Sequence, residues 1–141
     1  MALESTHNHV NILIIDSSWD SAQLLVSSVL EDNHFDILDV HYDWSKDKLL
    51  AVAERIDVIC IDVVFIPFFN VFIGSPEGAH LRCVNVIVLS KSNELPQNAN
   101  EYLDSCMVGD LSKGLPDSEF KKQFKRILEF LLADFSVVKK K

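Results

Sequence analysis

Residues 57–69, DVICIDVVFIPFF, set one carboxylate, Asp62, inside the most apolar run of the chain. A charge among aliphatic side chains is costly unless something pairs with it, so Asp62 belongs at the exposed end of a strand or beside a partner. The run is rich in β-branched and aromatic residues, and reads as a strand over residues 57–65. Three more runs resemble it: VNILIID at 10–16, FDILDVHY at 35–42 and VNVIVLS at 84–90. Nearly continuous Ile and Val, without polar alternation, is what strands covered on both faces carry. A less apolar fifth strand falls around CMVGDL at 106–111.

Between these runs lie amphipathic segments. Ala22, Leu25, Val26, Val29 and Leu30 recur at helical spacing, and residues 44–55 place Leu49, Leu50 and Ala53 inward. A third helix is expected to begin in SPEGAHLRC at 75–83, where Ser75 can cap and Pro76 suits the first turn. A weakly patterned fourth falls at 97–106, QNANEYLDSC. The last, residues 118–132, sets Phe120, Phe124, Ile127, Leu128 and Leu131 on one face, with Lys121, Lys122, Lys125 and Arg126 mostly away from it. Five strands alternating with five helices predict a three-layer α/β/α sandwich around a five-stranded parallel sheet.

With 141 residues and 48% hydrophobic content the chain fills one core, so a single domain over 1–141 is expected, folded over about 10–133. A formal charge of −8 argues against nucleic acid as the partner of this domain, because phosphate binding needs clustered cations. Residues 1–11 lack the basic and apolar regions of a leader, and no later apolar run approaches a membrane span, so a soluble, cytoplasmic protein is expected. Cys60, Cys83 and Cys106 lie far apart, without metal-site or redox spacing. Four glycines, no phosphate-cradling loop and no Ser-His-Asp order leave an enzyme reading unsupported.

Functional groups of a parallel α/β sheet gather at the carboxyl ends of its strands. Four polar residues stand there: Asp16, Asp62, Ser90 and Lys113, separated in turn by 46, 28 and 23 residues. Lys113 can offset the charge on Asp62, and Ser90 can donate to it or to a group attached to it.

At these motifs the chain resembles the response-regulator receiver domain, the CheY-like phosphoacceptor module of two-component signalling, over nearly its whole length. ILIIDSS is similar to the strand that ends in a pair of acids, DVICID to the strand of the phosphorylated aspartate, VIVLS to the strand ending in Ser or Thr, and DLSKG to the Lys-Pro motif. The resemblance implies Asp62 as phosphoacceptor, Asp16 with Asp62 at a magnesium site, Ser90 as the hydroxyl that follows the phosphoryl group, and Lys113 as its counter-cation. It implies as partners a histidine kinase, a phosphotransfer protein, an effector, or a second copy in a homodimer.

The departures point to an atypical member. Ser17 stands where the family has its second acid, and a neutral hydroxyl weakens a magnesium site. Asp110 replaces the switch aromatic and Gly114 the proline. A long segment after Asp62 is packed with large apolar residues, among them Phe68, Phe69 and Phe72. These serve either as core or, with Asp110, as an interface. The expected function is a signalling domain that works through protein contacts with weakened or absent phosphorylation. A phosphorylatable receiver, or the regulatory half of a DNA-binding regulator, are the other readings.

Overall fold

The computed structural model describes residues 10–90 and 107–139. Its strands are β1 (Val10–Ile15), β2 (Phe35–His41), β3 (Val58–Asp62), β4 (Asn85–Ser90) and β5 (Met107–Ser112). Its α-helices are α1 (Trp19–Leu30), α2 (Lys46–Val52), α3 (Ile66–Ile73) and α4 (Asp117–Lys139). The strands form one sheet in the order β2-β1-β3-β4-β5, and every pairing is parallel. The α/β/α architecture expected from the alternating pattern is therefore present.

Alternation along the strands divides the interior into two cores, because successive side chains leave a strand on opposite faces. Leu13, Ile15, Ile59, Ile61, Val86 and Val88 pack with Leu49 and Val52 of α2 and with Ile66, Phe69, Phe72 and Ile73 of α3. Ile12, Ile14, Val58, Cys60, Ile87 and Leu89 pack on the other side with Ala22, Leu25 and Val29 of α1 and with Phe120, Phe124, Leu128 and Leu131 of α4. Ser18 caps α1 and Ser45 caps α2 through their hydroxyls. On the second face, Lys121 and Lys125 of α4 pair with Glu31 at the end of α1. These two cations tie helices together rather than lying free in solvent. Their hydrogen bonds, Lys125 first, lower the Glu31 carboxyl to about 2.

Two expected boundaries are corrected. β3 stops at Asp62 instead of running to residue 65, because the Asp62 side chain accepts from Val64 N–H and turns the chain into a 3-10 turn, Val63–Phe65. The third helix does not start at Ser75; it is α3, within the phenylalanine-rich segment, with Pro67 in its first turn. Ser75 instead closes that helix, donating its hydroxyl to the Phe72 carbonyl at 2.6 Å and accepting from Gly78 N–H. Residues 79–83 form only a 3-10 turn. The helix expected at 97–106 lies outside the described residues.

Candidate functional site

β1 and β3 are adjacent and parallel, so Asp16, just past β1, and Asp62, the last residue of β3, come to the same edge of the sheet. Both are buried, as is Ser90 at the end of β4. Lys113 follows β5, and its backbone N–H donates to the Ser90 carbonyl at 2.6 Å, which fixes the start of the β5–α4 connection over the same edge. Its ammonium donates to Asp16 Oδ1 and, at 2.6 Å, to Asp62 Oδ2. Lys113 is therefore the partner whose absence would make Asp62 so costly, and it is shared with Asp16.

The remaining carboxylate oxygens are satisfied locally. Asp16 Oδ1 also accepts from Ser18 N–H at 3.0 Å, and Asp16 Oδ2 from the Ser21 hydroxyl in the first turn of α1. Asp62 Oδ1 accepts from Val64 N–H at 3.1 Å, and Asp62 Oδ2 accepts a second bond from the Ser17 hydroxyl at 2.9 Å. Burial alone would raise the Asp62 carboxyl. The Lys113, Val64 and Ser17 donors outweigh that and hold it below the usual carboxylate range.

Ser90 donates to Asp110 Oδ1 at 3.4 Å. Register explains the contact: Ser90 pairs with Ser112 and Val88 with Asp110, so Ser90 and Asp110 are diagonal neighbours on one face of a parallel ladder. Burial raises the Asp110 carboxyl above its ordinary value, and the Ser90 hydroxyl partly offsets the rise.

The four residues singled out at the strand ends, Asp16, Asp62, Ser90 and Lys113, thus lie at one edge. The ion triad joins three of them directly. Pattern reading missed the hydroxyls of Ser17 and Ser21 as ligands of the two carboxylates, although the run DSSWDS after β1 carried that signal. The interface expectation needs correction at two positions. Phe69 and Phe72 are 0% and 4% exposed and belong to the core that α3 forms with the sheet, whereas Phe68 is 54% exposed.

A divalent cation would need several free, mostly anionic oxygens. Among the described residues two carboxylates are available here, each of their four oxygens already accepts a bond, and an ammonium bridges the pair. Among the described residues no cluster of three or more His, Cys, Asp or Glu side chains could hold a metal. The donor set does not fit a strong magnesium site.

No protein-family model matches the chain, and no curated protein does. Solved structures do. CheY4 of Vibrio cholerae, a chemotaxis response regulator, is 19% identical with a TM-score of 0.58, covering 84% of this chain and 98% of that one. The CheX-CheY-BeF3-Mg2+ complex of Borrelia burgdorferi gives 19% identity and a TM-score of 0.63, covering 86% and 89%. The phosphorylated cyanobacterial phytochrome response regulator RcpA gives 16% identity and a TM-score of 0.65, covering 89% and 96%. With its β2-β1-β3-β4-β5 parallel sheet and an acid, an acid, a hydroxyl and a lysine at the strand ends, the chain has the CheY-like fold of response-regulator receiver domains.

Proposed function

We propose that this chain is an atypical receiver domain of two-component-type signalling, which acts by presenting a surface to a protein partner, without turning over a substrate, and with phosphorylation of Asp62 weak or absent. One observation carries the reading: the Lys113 ammonium and the Ser17 hydroxyl both donate to Asp62 Oδ2, while Val64 N–H holds Oδ1. A carboxylate attacks phosphorus through a free lone pair, and charge on the transferring group must be met by cations. At Asp62 both lone pairs of Oδ2 and one of Oδ1 are occupied, and among the described residues the one ammonium within reach is already shared between two anions. Magnesium binding is weak on this account, since Ser17 supplies no charge. A protein partner is consistent with the Borrelia neighbour, which is a complex with CheX. The net charge of −8 disfavours direct contact of this domain with nucleic acid. A cytoplasmic location goes with this reading; no helix of the described residues is long and apolar enough to cross a membrane.

Intact-mass measurement after incubation with acetyl phosphate and magnesium tests the proposal. The expected result is no stoichiometric adduct on the wild type, as on Asp62→Asn. One phosphoryl group per chain on the wild type and none on Asp62→Asn would replace this reading with that of a conventional receiver.

A further inference from the structure

Asp16 and Asp62 are both buried, and one ammonium serves them both. Lys113 Nζ lies 2.6 Å from Asp62 Oδ2 and is bonded to Asp16 Oδ1 as well. A hard divalent ion binds carboxylate oxygens at about 2.0–2.6 Å. The ammonium therefore stands where such an ion would reach both acids. It cannot share that place, because an ammonium carries three donors and no lone pair, so it offers a metal no ligand and repels it. Nor is it loosely held: its side chain is 8% exposed, and the Lys113 backbone N–H donates to the Ser90 carbonyl at 2.6 Å.

From this we infer that Lys113 is the resident cation of this edge, taking the place of a divalent ion and excluding one, so that the metal site latent in Asp16 and Asp62 opens only when the lysine leaves. The charges select the class of ion. One ammonium against two carboxylates leaves one negative charge unmatched, and without the lysine the deficit is two, which a divalent ion meets and a monovalent ion does not. Oxygen donors alone, with water completing the shell, are the ligands that magnesium and manganese take. A way in is present, since Ser17 and Lys113 line a recess of about 610 Å³ between the start of α1 and the start of α4. The inference rests on the weak magnesium binding of the proposed function and supplies its cause. Its test contains no phosphodonor, so a phosphorylated wild type and a failed metal titration remain separate results.

Thermal melts of the full chain with and without about 10 mM magnesium or manganese, and calorimetric titration with the same ions, test it. The wild-type melting temperature should not move. Lys113→Met should bind a single ion at least about tenfold more tightly than the wild type, and its melting temperature should rise with either ion. Lys113→Arg keeps the charge and should behave as the wild type does. Lys113→Met combined with Asp62→Asn should lose the gain, which ties the ion to these acids rather than to the acidic surface at large. Should Lys113→Met not fold without metal, Lys113→Gln, which keeps a donor and loses the charge, carries the same comparison. A wild type stabilised as much as Lys113→Met, lysine variants indifferent to both ions, or a gain that survives Asp62→Asn would overturn the inference.

Discussion

Lys113 holds one positive charge against two carboxylates at distances that leave no room for water between them, and its side chain is only 8% exposed. Removing it strands two like charges in the interior. Lys113→Met should therefore cost about 3–5 kcal/mol in urea unfolding, the range for breaking a buried pair from one side. Two aspartates at this edge, Asp62 and Asp110, act oppositely on pH. Asp62 has a depressed carboxyl, so its contribution is present above the unfolded value of about 3.9 and is lost as pH falls through its lower folded value. Asp110 has a raised one, so its ionisation opposes folding. Asp110→Asn should raise the melting temperature at pH 7 and leave it nearly unchanged near pH 3, as scanning calorimetry at the two pH values would read. At Ser17 a carboxylate adds the missing charge. Ser17→Asp should tighten magnesium binding by about tenfold or more in calorimetric titration, and sub-millimolar saturation of the wild type would contradict the weak site. Asp16 and Ser90 were legible because each closes a strong strand signal; Asp62 stands late within another, and Lys113 follows the least apolar strand. The hydroxyl ligands were less so, since whether Ser17 reaches Asp62 depends on how β1 and β3 are registered. The Ser90–Asp110 contact likewise follows from the β4–β5 register, which pattern alone does not fix.

α3 shows why one element escaped the pattern. Ile66, Phe69, Asn70 and Ile73 stand at helical spacing and are buried, but one of them is polar, and Phe72, off that stripe, is buried as well. Phe68 and Val71, equally apolar, face out. Hydrophobicity is thus spread around the helix, and the periodic signal that identified α1 and α4 vanishes. Strand β3 was overextended for a related reason: Val63, Val64 and Phe65 continue its composition, and only the bond from Val64 N–H to Asp62 ends it. Side-chain truncation separates the two faces of α3. Phe69→Ala should cost about 3–5 kcal/mol and Phe68→Ala well under 2, measured by chemical denaturation. The return from α3 is tight as well. A Cβ on Gly78 would lie 2.2 Å from the Phe72 carbonyl oxygen and 2.7 Å from its ring, so Gly78→Ala should destabilise by about 1–3 kcal/mol through forced repacking of the α3 end.

Parallel order places every strand's carboxyl end on one edge, and a core packs on either face of the sheet behind it. Fold class follows from the alternation of apolar runs and amphipathic segments, which is why it was readable from sequence, whereas the strand order was not. The use of the edge depends on how one lysine, two acids and a serine share their bonds, and that requires distances. On the proposed function this edge is already internally satisfied and does not respond to a phosphoryl mimic. Two-dimensional amide NMR of the wild type, with and without magnesium and beryllofluoride, tests it most directly. The spectra should be superimposable; saturable shifts of the Asp62, Ser90, Asp110 and Lys113 amides, absent in Asp62→Asn, would show instead a site that takes up the mimic.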